Sequence, residues 1–165
     1  MCIQAYLREH NVPFVSLLHT PTQSAARLAH SVHVAGAQVA KSVLVRAESG
    51  FALAVLPSTC LVDLVRLAET LSVPGVSLAT EDDLMEVFLD CEIGALPPFG
   101  SLYGIPTIVE SRLAAHGEIV VGGHTRHEGL RMRYRDFEAV EQPLRGRFGV
   151  PIQPPHRRRD ERRAG

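Results

Sequence analysis

Apolar residues recur along this chain with two periods, and the switches between them mark its elements. From residue 2 to 10, Ile3, Tyr6, Leu7 and His10 fall near one face at helical spacing. Pro13 interrupts, and Phe14-Val15-Ser16-Leu17-Leu18 reads as a first strand. Thr22 is placed to cap a second helix carrying Ala25, Ala26, Leu28 and Ala29, and Gly36 closes that region. Residues 40–47 and 51–56 are apolar runs around Glu48-Ser49-Gly50, the pattern of a hairpin. Leu61, Leu64, Val65 and Ala68 predict a helix over residues 60–71. Pro74-Gly75 turns the chain into a short strand, Val76-Ser77-Leu78-Ala79. Thr80 then caps a helix through Phe88, with Asp82 and Asp83 favourable in its first turn. Residues 94–106 are rich in Gly and Pro, strands are predicted at 107–110, 118–121 and 129–133, and a last short helix at 136–140.

Strands and helices are thus mixed without strict βαβ alternation. That predicts an α+β fold around a curved mixed sheet rather than a doubly wound one. At 165 residues the chain suits one domain with a real core. Its 45% hydrophobic and 21% charged content is that of a globular protein, and there is no apolar run of membrane-spanning length. The first ten residues lack the charged start and apolar block of a secretion signal. Cys2, Cys60 and Cys91 are odd in number and far apart, which predicts reduced thiols in a cytoplasmic protein. Residues 143–165 carry seven Arg against Asp160 and Glu161, on an otherwise acidic chain. The expected division is a domain over 1–142 and a basic, Pro- and Arg-rich tail over 143–165. That tail reads as a disordered, solvated end, with contact to an RNA backbone as the alternative.

Chemistry concentrates in three segments. The chain holds sixteen arginines and a single lysine, Lys41, within the strand Ala40-Lys41-Ser42-Val43-Leu44-Val45. Alternation puts Lys41 on the face of Val43 and Val45, so it points into a cavity or snorkels out to water. An inward ammonium needs a carboxylate, a carbonyl cluster or an anionic ligand. The second segment, Gly94 to Gly104, combines close-approach glycines with the stiff Pro97-Pro98 pair. It suits a rigid rim whose backbone reads a small ligand, or an ordinary long connection. The third, Gly122-Gly123-His124-Thr125-Arg126-His127, either presents an imidazole or hydroxyl to a pocket or forms a polar turn. Phosphate-loop and dinucleotide fingerprints are absent. The spacings His30–His33 and His124–His127 lack the further ligands of a metal hydrolase. Of the cysteines, Cys91 is the better placed candidate nucleophile and Cys60 reads as packing.

In order and setting the three segments resemble the YbaK/EbsC family of aminoacyl-tRNA deacylases, related to the editing domain of bacterial prolyl-tRNA synthetase. The resemblance runs from about residue 3 to 141. It rests on His19-Thr20-Pro21-Thr22, the Lys41 strand, Ala54-Val55-Leu56-Pro57 with Leu61-Val62-Asp63-Leu64, the Gly-Pro loop and the Gly-Gly segment. It implies a mainly antiparallel, barrel-like sheet with flanking helices. It also implies hydrolysis of the ester between a wrong amino acid and the tRNA 3′-terminal adenosine, with no cofactor and no metal. The implied partners are aminoacyl-tRNA and an aminoacyl-tRNA synthetase, with no membrane. Lys41 aligns with the family's essential lysine, the expected catalytic residue. Thr22, Ser42, Gly94, Pro97, Pro98, Phe99, Gly100, Gly123 and His124 are the expected substrate-binding residues. Ser42 stands where some alanine-specific relatives have Asn, and Gln23 where an aromatic is common. The rival reading is a module that holds an aminoacyl or nucleotide ligand, or RNA, without turnover.

Overall fold

The computed structural model describes residues 2–19, 24–92 and 94–153. Helix α1 (Ile3–Glu9) buries Ile3, Tyr6 and Leu7, the stripe that its spacing predicts. Strand β1 (Val15–Leu18) follows, then α2 (Ala25–Ser31), capped by Ser24, whose hydroxyl accepts the Arg27 N–H at 3.2 Å. The expected cap Thr22 lies outside the described residues. The hairpin forms as expected from β2 (Val39–Ala47) and β3 (Gly50–Pro57), in register from Ala40↔Pro57 to Ala47↔Gly50.

The helix predicted over 60–71 divides into two elements. Cys60–Val62 is strand β4, and α3 (Leu64–Leu71) starts only after Asp63, whose carboxylate accepts the N–H groups of Val65 and Arg66. Leu61 and Val65 of the expected helical spacing are exposed, and the helix buries Leu67 beside the expected Ala68. Strand β5 (Val76–Leu78) and α4 (Glu81–Val87) come next. Thr80 and Asp83 close a reciprocal capping box at the start of α4, at 3.2 and 2.8 Å. Strands β6 (Thr107–Glu110), β7 (Glu118–Gly122) and β8 (Glu128–Arg133) lead into α5 (Tyr134–Glu141).

The segment expected as a tail from residue 143 is built into the fold through residue 151. Strand β9 (Leu144–Gly146) pairs with β6, and β10 (Gly149–Pro151) pairs with β4. Glu110, fully buried, accepts the N–H groups of Phe148 and Gly149 and so clamps this return to the sheet. Residues 154–165 lie outside the described residues.

The main sheet runs β1-β8-β7-β2-β3-β6-β9, with β5 also on β2. The ladders β1–β8, β7–β8, β2–β3 and β2–β5 are antiparallel, and β2–β7, β3–β6 and β6–β9 are parallel. The architecture is therefore mixed α and β around a large, mostly antiparallel sheet. Among the described residues no pairing joins β1 to β9, so the ladder is open rather than a closed barrel. The central hairpin buries both faces. Ala40, Leu44, Leu53 and Val55 pack with α1, α5 and Phe99, whereas Val45, Ala52, Ala54 and Leu56 pack with Leu67 of α3 and Phe148. Among the described residues no helix is long and apolar enough to cross a membrane.

Candidate active site

Strand β2 changes neighbours along one edge. Val39 and Ala40 pair with Val120 and Val121 of β7, and Val45 to Ala47 pair with β5. Between these ladders, Lys41, Ser42 and Val43 are in register with β3 alone. A cavity of about 290 Å³ opens where β2 parts from β7. Lys41 and Ser42 form its floor, Gly94 to Leu96 one rim, and Gly122, Thr125, Arg126 and Glu128 the other, with His19 and Leu28 completing the wall.

Lys41 stands opposite Leu56 on the face it shares with Val43 and Val45. Partial burial lowers its pKa from the usual 10.5, with the nearby Cys60 pulling weakly the other way. Among the described residues, no carboxylate forms an ion pair with it. Ser42 projects from the opposite face, and its buried Oγ meets no hydrogen-bond partner among the described residues. The cavity thus holds a half-desolvated ammonium, with an unpaired hydroxyl buried behind the next position of the same strand.

The Gly-Pro segment divides in two. Gly94, at φ +86°, with Ala95 and Leu96, forms the rim. Leu96 and Gly94 also wall a smaller, apolar cavity of about 140 Å³ lined by Leu84, Met85 and Phe88. Pro97, Pro98, Phe99 and Gly100 lie buried, away from both cavities. The Phe99 ring meets Tyr6 and Phe137 edge-on, at 5.8 and 5.4 Å between centroids. The Gly100 N–H donates to Thr107 Oγ1 at 3.0 Å, and a Cβ on Gly100 would lie 2.5 Å from that oxygen. The expected ligand-reading rim is therefore a short rim on a packed anchor, because three successive apolar side chains are worth more in the core than at a cavity mouth.

The Gly-Gly segment is also redistributed. Gly123 is buried, and a Cβ there would come within 2.6 Å of the Glu128 carboxylate, so its hydrogen makes room for that group. His124 faces away from the cavity. Its Nδ1 accepts the Ile3 N–H at 3.3 Å, and its Nε2 lies 3.1 Å from the Tyr103 hydroxyl and 3.3 Å from Asp90. Asp90, Cys91 and His124 are near enough to one another for a shared metal ion. They are joined by hydrogen bonds. With Nδ1 accepting, the neutral ring carries its proton on Nε2, where it donates rather than ligates. Burial pushes the Cys91 thiol up to about 11, so it stands in this knot as a protonated thiol. The Tyr103 hydroxyl, its own pKa raised by burial, donates to Asp90 at 2.9 Å and completes the knot.

Thr125 and Arg126 of the Gly-Gly segment line the cavity together with Glu128, which sequence reasoning did not single out. The Arg126 N–H donates to Glu92 at 2.8 Å, its Nε sits 3.7 Å from the same carboxylate, and the Glu92 N–H donates to the His124 carbonyl at 2.9 Å. These contacts join the two rims across more than thirty residues of chain, a pairing with no local sequence signature.

Comparison with known proteins places the chain in a family. Residues 19–140 match the model of the aminoacyl-tRNA editing domain. Proline–tRNA ligases from two strains of Xanthomonas oryzae pv. oryzae are 31% identical over 106 residues, 64% of this chain and 19% of theirs. The chain spans about a fifth of the length of these relatives. The crystal structure of a hypothetical protein superposes with a TM-score of 0.82 at 18% identity, covering 90% of this chain and 99% of that one. That of a candidate trans-editing enzyme for prolyl-tRNA synthetase gives 0.77 at 21% identity, covering 90% and 94%. At these identities the structural likenesses establish the fold, and the matched span contains Lys41, both rims and the floor of the cavity. The chain belongs to the aminoacyl-tRNA editing domain family.

Proposed function

We propose that this protein is a deacylase that hydrolyses the ester of mischarged aminoacyl-tRNA, acting on tRNA released by a synthetase. One observation carries the reading: the chain's single lysine enters a cavity within the editing-domain span with no carboxylate paired to it among the described residues. A half-buried ammonium without a counter-charge favours an anionic or carbonyl-rich ligand.

In this mechanism Lys41 is the catalytic residue. It holds a phosphate or carbonyl oxygen beside the terminal adenosine and stabilises the negative charge that develops when water attacks the ester carbon. Backbone groups at Gly94 and the Ser42 hydroxyl orient the ester and the water. The acyl C–O bond breaks, the ribose oxygen leaves with a proton, and water supplies the hydroxyl of the free amino acid. The neighbouring ribose hydroxyl of the substrate relays protons, so the protein needs no strong base and no metal. Selectivity comes from the cavity. A synthetase separates amino acids differing by one methylene by only about 1–3 kcal/mol, which makes a second, hydrolytic sieve useful.

The test is release of amino acid from a panel of mischarged tRNAs, beginning with alanyl- and cysteinyl-tRNA(Pro), by wild type and Lys41→Ala. Loss of release in the variant supports the assignment, and full activity in it removes Lys41 from the mechanism. No release from any aminoacyl-tRNA would turn the reading to a binding module.

A further inference from the structure

We infer that Glu128 is the receptor for the α-ammonium group of the aminoacyl ligand, and so a specificity-determining residue of this site. The inference rests on the deacylase reading for the identity of the ligand, but its evidence is a separate group on the opposite wall.

Glu128 lines the cavity and is partly buried. Its Oε1 accepts the side-chain amide of Gln4, which holds the carboxylate in place without neutralising it. Its Oε2 lies over Gly123 and takes no hydrogen bond from a described residue. The nearest cation in sequence, Arg126, pairs with Glu92 instead, and among the described residues no cation pairs with Glu128. A carboxylate held by a neutral amide, with one oxygen open to a cavity, is placed to receive a cationic group of a ligand. Gly123 sharpens the point, because any side chain there would displace the carboxylate.

Lys41 lies on β2 and Glu128 at the start of β8, with β7 between them, so two strand spacings, about 10 Å, separate their backbones, and both side chains line the one cavity. The cavity is therefore cationic at the β2 wall and anionic at the β8 wall. An aminoacyl ester of a nucleotide has the same polarity, with an ammonium at the amino-acid end and phosphate and carbonyl oxygens at the other. A carboxylate at the amino end also separates a free aminoacyl group from one whose nitrogen is acylated, which carries no charge.

The experiment titrates the full chain, as wild type and Glu128→Gln, with amide-linked 3′-aminoacylamino-adenosines carrying alanine, cysteine or proline. Each probe is used with a free and an N-acetylated amine, and turnover of the corresponding aminoacyl- and N-acetylaminoacyl-tRNAs is followed in parallel. Glu128→Gln keeps the shape and the Gln4 contact while removing the charge. Wild type is expected to prefer the free amine by about 10- to 100-fold, and the variant to lose that preference while binding acetylated probes unchanged. Equal preference in both proteins, or no preference in wild type, overturns the inference. Hydrolysis with an unchanged preference would sink the Glu128 role and leave the deacylase standing. Glu128-dependent binding without hydrolysis would do the reverse.

Discussion

The backbone N–H of Arg126 donates to the Glu92 carboxylate at 2.8 Å, and this bond ties together the two rims of the cavity. One rim descends from α4 and the other from the β7–β8 turn, so neither is held by its own local structure. Glu92→Ala is expected to lower kcat/KM on mischarged tRNA by about 5-fold, mostly through KM, the effect of losing one charge-assisted hydrogen bond of about 1 kcal/mol. Thermal stability should hardly move, because the pair is partly exposed. A large fall in Tm with unchanged KM would mean that the contact serves the fold and not the rim.

Lys41 should dominate catalysis. Lys41→Ala is expected to lower kcat/KM by about 100- to 1,000-fold, the scale of losing one preorganised electrostatic group. Lys41→Arg should not restore it, since a wide planar fork does not replace a compact charge.

The same residue sets a pH signature. Its folded pKa is lowered by burial, and the charged form is the active one, so enzymatic hydrolysis should decline at a pH below the 10.5 of a free lysine. Stability moves oppositely. Between the folded and unfolded pKa values the unfolded chain binds more protons, so stability rises with pH across that window. A pH–rate profile corrected for spontaneous hydrolysis, beside denaturant unfolding at the same pH values, checks both trends. Lys41→Ala should flatten each.

Gly100 and Gly123 are predicted to respond differently to the same methyl group. In Gly100→Ala the new Cβ meets Thr107 Oγ1 at 2.5 Å and the Ile105 carbonyl oxygen at 2.6 Å, the latter fixed backbone. A loss of about 1–3 kcal/mol is expected on denaturant unfolding. In Gly123→Ala the clash is with the flexible end of Glu128, so stability should change less while the preference for a free amine falls.

Glu110 is predicted to hold the C-terminal strands. Glu110→Ala leaves the N–H groups of Phe148 and Gly149 buried without an acceptor, for a loss of about 2–6 kcal/mol. Limited proteolysis should then cut first within residues 143–153, and cleavage as slow as in wild type would refute the clamp.

Much of the framework could be read from local pattern. The apolar runs at 40–47 and 51–56 around Glu48-Ser49-Gly50 specified the hairpin, and alternation along the strand put Lys41 on the Val43 face, because neither signal needs knowledge of distant neighbours. Thr80 and Asp83 specified the start of α4, because a capping box closes within four residues. Leu61, Leu64, Val65 and Ala68 have helical spacing, yet Cys60 to Val62 is a strand. Its partner, Gly149 to Pro151, is almost ninety residues away, and that long-range ladder outweighs local periodicity. The resemblance named Lys41, Ser42 and Gly94, which line the cavity, but could not show that Pro97 to Gly100 anchor the core or that His124 turns toward Asp90 and Tyr103. The cavity positions of Glu128 and Arg126 became visible only in three dimensions. A charged residue at a strand end has the same local pattern whether it meets solvent, a counter-ion or a ligand. What decides among these is which distant groups, such as Glu92 for Arg126 and Gln4 for Glu128, the fold brings within reach. The sequence by itself thus determined the elements and the single lysine, through interactions that close within a few residues. The tertiary structure alone decided the polarity of the cavity, because that depends on charges whose partners are set by long-range packing.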